Sequence, residues 1–292
     1  MSWLYVVSTV VVVIFVIIPV AFSYWQAWRL VHPDRKAFQD HPRNYGINYE
    51  DITIQGKAGN LAAWYLPGTN GRTLIALHGI NDNRQQWLPP GVDLQRIGFN
   101  VLLLDFRGHG GSEGKVTTFG DRETEDVLAV LDYLQNRGDI DMQRIGLMGL
   151  SLGGIAAIIA ASRTDRVQAV MAEAAFPDLL RDLGLAFTRF TGVPAFPLAN
   201  LTVFWGQFMV GTSLAKLRPI EVIHLIAPRP VFIIGDLNDN LVDEPHGSQG
   251  LYDRAGEPKQ LWQLPNTRHV GGYEVFGAEY IDRVSNFFTQ AL

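Results

Sequence analysis

The chain contains no cysteine, which excludes disulfides, thiolate nucleophiles and Cys-based metal sites outright. It also lacks any cluster of basic residues. Lys and Arg total 24 against 29 Asp and Glu, for a net charge of −5, so there is no electrostatic footprint for nucleic acid. The histidines are scattered without ligand spacing, and no His-Glu-x-x-His string occurs, so no metal is expected. No Gly-x-Gly-x-x-Gly fingerprint follows the first strand-like run. The single phosphate-loop echo, "GGSEGKV", has His109 where the first glycine is required and Val116 where Ser or Thr would hold magnesium. No cofactor is implied. What remains is a chain of 292 residues, 47% hydrophobic, long enough for one large α/β domain and a short appendage.

The appendage comes first. Trp3 to Phe22, "WLYVVSTVVVVIFVIIPVAF", carries no charge, and at about 1.5 Å per residue it can cross a hydrocarbon core of roughly 30 Å. Tyr24, Trp25 and Trp28 follow where an aromatic belt would sit, then Arg29, Arg35, Lys36 and Arg43. A buried core helix would show a polar stripe, and this run is apolar all round. A signal peptide would open on basic residues and end at a small-x-small site; no Lys or Arg precedes Trp3, and Ala21-Phe22-Ser23 is a weak match. Residues 1–23 are therefore expected to be a retained single-span anchor. The basic residues beyond it place the N-terminus outside and the domain on the cytoplasmic side. Residues 24–48, polar and broken by Pro33 and Pro42, read as a juxtamembrane linker, and residues 49–292 as the domain.

Within the domain, strand-like runs fall at Ile52–Ile54, Leu61–Leu66, Thr73–His78, Asn100–Asp105, Arg144–Met148, Val167–Ala172, Pro230–Gly235 and Gln260–Leu264. Helical stretches separate the later ones at Asn83–Ile97, Asp121–Asn136, Leu152–Ser162, Glu244–Ala255 and Phe276–Gln290. The first two strands, joined through Gly56 and Gly59, read as an antiparallel pair. The others alternate with helices and are apolar on both faces. This predicts an α/β fold with a mostly parallel, eight-stranded sheet covered by helices on both sides.

Ligands in such sheets bind beyond the C-terminal strand ends, and "GLMGLSLGGIAAIIA" puts Ser151 there. Gly149-Leu150-Ser151-Leu152-Gly153 is a nucleophile elbow between a strand and a helix. The turn is so sharp that side chains two positions either side of the serine would collide with the strand and helix, and glycine removes them. The hydroxyl is left exposed at a helix N-terminus, where negative charge is favoured. A serine nucleophile needs a base and an orienting acid, and the order Ser, acid, His puts both C-terminal to it. His269, in "LPNTRHVGGY", is the candidate base; His246 looks like a surface or capping residue at the start of a helix. The loop "DLNDNLVDE" offers Asp236, Asp239 and Asp243. Asp236 lies close to the sheet edge and Asp243 is placed to cap the next helix, which favours Asp239 in mid-loop.

"TLIALHGINDNR", "GFNVLLLDFRGHGGSEG", "RIGLMGLSLGG", "VFIIGDLNDNLVD" and "LPNTRHVGGY", in that order, resemble the α/β-hydrolase superfamily. The likeness is to membrane-anchored bacterial serine hydrolases akin to dienelactone hydrolases and prolyl-oligopeptidase-type domains, and it spans about Tyr49 to Leu292. Relatives commonly carry Gly-x-x-Asp-x-x-Val-Pro at the acid. Here counting back from Val242 reaches Asp239, whereas counting forward from Gly235 reaches Asn238, so Asp236 stays open as the acid. Glu173 is a further candidate, because some relatives take the acid from that strand. The resemblance and the elbow together imply an oxyanion hole made by the backbone N–H groups of Leu152 and Ile80. His78, Asp105, Arg107 and His109 are expected to shape loops rather than react.

The segment 177–221 reads as an insertion rich in aromatics, with Phe187, Phe190, Phe196, Phe204, Trp205 and Phe208 beside Met209, broken by Pro194 and Pro197. It is either two packed core helices or a cap whose apolar lining selects the substrate. The expected activity is hydrolysis of a small-molecule carboxylic ester or thioester through Ser151, His269 and Asp239. Peptidase or acyltransferase chemistry on the same site, or a non-catalytic binding domain, are the alternatives.

Overall fold

Eight strands form a single sheet in the computed structural model, which describes residues 3–192, 195–242 and 246–292. They are β1 (Glu50–Gly56), β2 (Gly59–Leu66), β3 (Thr73–Leu77), β4 (Asn100–Leu104), β5 (Ile145–Leu150), β6 (Ala169–Glu173), β7 (Val231–Asp236) and β8 (Lys259–Leu264). Their spatial order is β1-β2-β4-β3-β5-β6-β7-β8. β2 runs antiparallel to both β1 and β4, and every later pairing is parallel. β1, at one edge, alternates exposed and buried positions, whereas β3 to β7 are buried at every residue. Strands covered on both faces must be apolar throughout, which is why "VLLLD" and "VFIIG" show no alternation.

The helices are α1 (Trp3–Val12), α2 (Ile18–Val31), α3 (Leu88–Arg96), α4 (Asp121–Arg137), α5 (Leu152–Arg163), α6 (Leu179–Thr191), α7 (Leu198–Val210), α8 (Pro219–Val222), α9 (Ser248–Arg254) and α10 (Gly272–Ala291). One sheet face packs on α4 and α5 through Val127, Leu131, Ile155 and Ile158; the other packs on α3 and α10 through Leu88, Val92, Val284 and Phe288. In α4 the buried Val127, Val130, Leu131 and Leu134 fall on one helical stripe. Two helix starts in the C-terminal part depart from the sequence reading. α10 begins at Gly272 rather than Phe276 and bends at Gly277, where φ is 45°. α9 begins at Ser248, so His246 lies in the turn before it rather than in the helix. Asp243, expected to cap that helix, lies outside the described residues.

The largest departure is at the N-terminus. α1 and α2 are joined through one π-helical stretch, Val13–Ile17, just before Pro19. From Tyr5 to Val31 the helix is long and apolar enough to cross a membrane; an 18-residue stretch within it has a mean hydropathy of 2.8 and is 6% buried. It continues past residue 23 until His32, the residue before Pro33. Ser23, Ala27 and Val31 recur at helical spacing, and all three are buried. They face α7, where Gly206 leaves room for Val31 and Tyr24 meets Trp205 edge-on at 5.6 Å. Small residues let two helices approach closely. The rest of the segment expected to be a linker also lies on the domain. Arg35 donates to the carbonyls of Gly110 and Gly114 (2.7 and 2.8 Å), and Lys36 pairs with Asp82 at 2.9 Å.

Candidate active site

The sharp turn between β5 and α5 is real. Ser151 sits there with φ 52° and ψ −112°, conformational space that L-residues enter only at a cost, and its N–H is tied to the Glu173 carbonyl of β6 (2.9 Å). The flanking glycines are required. A methyl group on Gly153 would lie 2.0 Å from the Leu77 carbonyl oxygen, and one on Gly149 2.2 Å from that of Gly153.

His269 stands in the loop between β8 and α10. Its Nε2 is 2.9 Å from Ser151 Oγ, and its Nδ1 is 2.6 Å from Asp239 Oδ2. Asp239 is itself held by the N–H groups of Leu241 (2.6 Å) and Val242 (3.2 Å), both donating to Oδ1. With both of those bonds on one oxygen, the other is free to accept from Nδ1–H, which leaves the lone pair of Nε2 facing the serine. The acid loop and the histidine loop are stitched together. Leu237 N–H donates to Leu264 O (3.0 Å) and Asn238 N–H to Thr267 O (2.9 Å).

The other two carboxylates open as acids do not reach the ring. Asp236 accepts from the Val270 N–H (2.9 Å), and Glu173 accepts from the Gly272 N–H (2.9 Å) and the Tyr280 hydroxyl (2.6 Å). Both thus hold the backbone on which His269 is mounted. Burial, then the nearby Glu173, push the Asp236 carboxyl up to about 8, and burial raises that of Glu173 as well. An acid kept neutral by the fold stabilises it fully below the acid's ordinary value near 4. That contribution is lost as pH rises toward about 8, because the unfolded chain then binds fewer protons than the folded one. Asp236→Asn mimics the neutral form. Its melting temperature is expected to decline less than the wild type's between about pH 5 and about pH 8; parallel declines in calorimetric scans would contradict this.

Below the elbow the loop after β3 passes close by, with Gly79 in a position where an added Cβ would be 3.6 Å from Ser151 Cβ. Among the described residues no hydrogen bond takes up the N–H of Ile80 or of Leu152, so both are available as donors beside Ser151. His78 is fully buried; Nδ1 donates to the Gly79 carbonyl (2.6 Å) and Nε2 accepts from the Phe106 N–H (3.1 Å). Burial pushes its pKa down to about 4, so it is a neutral brace for this loop. Asp105 accepts from the N–H groups of Arg84 and Gly111 (2.6 and 2.7 Å), His109 bonds the Arg107 carbonyl, and Arg107 grips Asp126 at 2.6 to 3.1 Å.

Above Ser151 lies a cavity of about 1040 Å³. The insertion supplies part of its wall through Leu183 and Phe187 of α6 and Val203 and the part-exposed Phe204 of α7, while Phe196 and Phe208 are exposed and do not line it. Pro194 and the side chain of Phe190 lie outside the described residues. Sequence reasoning missed the adjoining part of the wall, which is α2: Trp25, Ala27, Trp28 and Val31. The i, i+4, i+8 recurrence of Ser23, Ala27 and Val31 was the available signal, masked by the aromatic and basic residues between them.

The arrangement can deliver a serine alkoxide to an electrophile held in an apolar chamber. Similarity to known proteins points the same way. The family described as X-Pro dipeptidyl-peptidase (S15 family) matches residues 36–203. The α/β-hydrolase domain-containing protein WAV2 of Arabidopsis thaliana is 30% identical over 234 residues, which cover 75% of this chain and 71% of that protein. Protein YfhR of Escherichia coli strain K12 is 25% identical over 295 residues, covering 96% and 95%. Among solved structures, the Pyrococcus furiosus esterase Pf2001 superposes with a TM-score of 0.76 at 27% identity, over 90% of this chain and 98% of that one.

Proposed function

Because the chain belongs to the α/β-hydrolase superfamily, in the family described as X-Pro dipeptidyl-peptidase (S15 family), we propose that it is a membrane-anchored serine hydrolase of carboxylic esters or thioesters. The observation that carries this reading is the chain of contacts from Ser151 Oγ through His269 to Asp239, 2.9 and 2.6 Å long. Ser151 attacks the carbonyl as His269 Nε2 takes its proton, Asp239 holds the ring by Nδ1–H, and the N–H groups of Leu152 and Ile80 receive the oxyanion. His269 then returns the proton to the leaving alcohol or thiol. Water, activated by the same histidine, splits the acyl-enzyme.

Esters are favoured over peptides by the chamber. A peptidase that reads a free N-terminus needs a carboxylate for the ammonium group. Among the described residues lining the chamber the acidic one is Asp34, which is exposed on the segment after α2. The family match at 36–203 includes Ser151 but ends before Asp239 and His269. The anchor reading is supported by the exposed apolar helix and by its continuation into the domain, and the basic residues after the span favour a cytoplasmic domain. The test is fluorophosphonate labelling of the full-length protein, followed by mass spectrometry of the adduct. A single phosphonyl group on Ser151 is expected. A folded protein that takes no label, or takes it elsewhere, would overturn the assignment.

A further inference from the structure

One wall of the cavity at the nucleophile is the N-terminal helix itself. The same void touches Trp25, Ala27, Trp28 and Val31 of α2 on one side and Ile80, Ser151 and Leu152 on another. If Trp3 to Phe22 fills a hydrocarbon core of roughly 30 Å, the helical turns from Ser23 to Val31 stand at the boundary with water. α7 packs on those turns, so it lies at the same level. Its outward residues suit that position: Phe204 and Phe208 are 56% and 75% exposed, beside Trp25 and Trp28 of α2 at 49% and 48%. Aromatic rings are favoured at the headgroup level. Arg29, stacked 5.1 Å from the Trp25 ring, places a cation beside them. The exposed surface is thus continuous with the span, and the chamber it borders leads to Ser151.

The chamber's size fits the same picture. At about 1040 Å³ it stands at the top of the roughly 300–1,000 Å³ typical of small-molecule sites, far more than an acetyl or butyryl group fills. We infer that the chamber holds the acyl chain of a long-chain lipid ester, which enters from the bilayer at the part-exposed rim formed by Trp25, Trp28 and Phe204. Ala27 and Val31 form the anchor's side of the chain site, and Val203 the cap's side. The inference rests on the serine-hydrolase reading and adds to it the substrate class and the route. It also gives the N-terminal helix a second role, as part of the substrate site.

The test uses the full chain in phosphatidylcholine vesicles and two alkyl fluorophosphonates, butyl and tetradecyl, the latter with a diazirine at the chain end. Each buried methylene favours binding by up to about fourfold, so the tetradecyl probe is expected to inactivate Ser151 more than about tenfold faster than the butyl probe. After irradiation the tethered chain is expected to cross-link within residues 25–31 or 199–207. Val203→Trp should slow the tetradecyl probe by about tenfold or more, and by a larger factor than it slows the butyl probe. If that variant does not fold, the cross-link in the wild type decides alone. Equal rates for the two probes, or cross-links away from α2 and α7, with Ser151 still labelled, overturn the lipid-chain site and leave the hydrolase standing. A Ser151 that neither probe labels overturns both.

Discussion

Ser151→Ala is expected to lower kcat on a carboxylic ester by about 10⁶-fold, with a melting temperature close to that of the wild type. The loss is large because the nucleophile and its base act as a unit: without Oγ, His269 has no proton to take and the acyl-enzyme cannot form. Stability changes little because the side chain is small. Its hydroxyl bonds His269, and the N–H to Glu173 carbonyl bond that fastens the elbow is untouched. Alanine inherits the same φ of 52° and therefore the same strain. Ser151→Gly relieves it and should be about 1 kcal/mol more stable than Ser151→Ala while equally inactive. Stopped ester assays and thermal melts on the three proteins settle the matter. A loss in kcat of less than about a hundredfold would place the nucleophile elsewhere.

Asp239→Asn is expected to lower kcat by about 10⁴-fold, and Asp236→Asn by less than about tenfold. An asparagine at 239 still accepts from Leu241 and Val242 through its oxygen, which turns its amide N–H toward His269 Nδ1. The ring must then accept at Nδ1 and carry its proton on Nε2, where it meets Ser151 with a donor instead of a lone pair. Asp236 bonds the Val270 backbone N–H and not the ring. Because burial already holds it neutral, asparagine keeps the oxygen that matters. The paired kcat measurement has a clear reversal: the larger loss at 236 would make Asp236 the orienting acid and leave Asp239 as loop structure.

How much of this could be read in advance follows from how far apart in the chain the determinants lie. The parallel sheet was legible because doubly covered strands such as Asn100–Leu104 advertise themselves by being apolar at every position. The elbow was legible too, since strand, turn and helix occupy one short segment, with Gly149 and Gly153 at the required places. Asp236 and Asp239 were harder. They lie close together, Asp236 ending β7 and Asp239 in the loop that follows, and what separates them is the direction of each carboxylate, set by the bonds to Leu241, Val242 and Val270. Spacing counted from Gly235 or from Val242 could not supply that direction. The α2 wall was out of reach for a stronger reason. It arises from packing between residues 23–31 and 198–210, and locally the first of these reads as the aromatic belt of a span, with Trp25 and Trp28, opening a juxtamembrane linker. α9 starts late because Gly247, with ψ −112°, is not helical.

The docking of Ser23, Ala27 and Val31 on α7 bears on how this enzyme can be handled. A common shortcut with membrane-tethered proteins is to delete the tether and purify the remainder as a stand-in. Here a cut after residue 23 would keep the inner turns of α2 but remove the long apolar helix that they continue. A cut after residue 48 would strip the chamber of Trp25, Ala27, Trp28 and Val31 and leave α7 without its partner. The remainder would present an open cleft with a bare apolar floor, prone to self-association. Its preference among substrates would describe that cleft rather than the whole chain. Detergent or lipid-disc preparations of the intact polypeptide are therefore part of the assay, as much as the choice of ester.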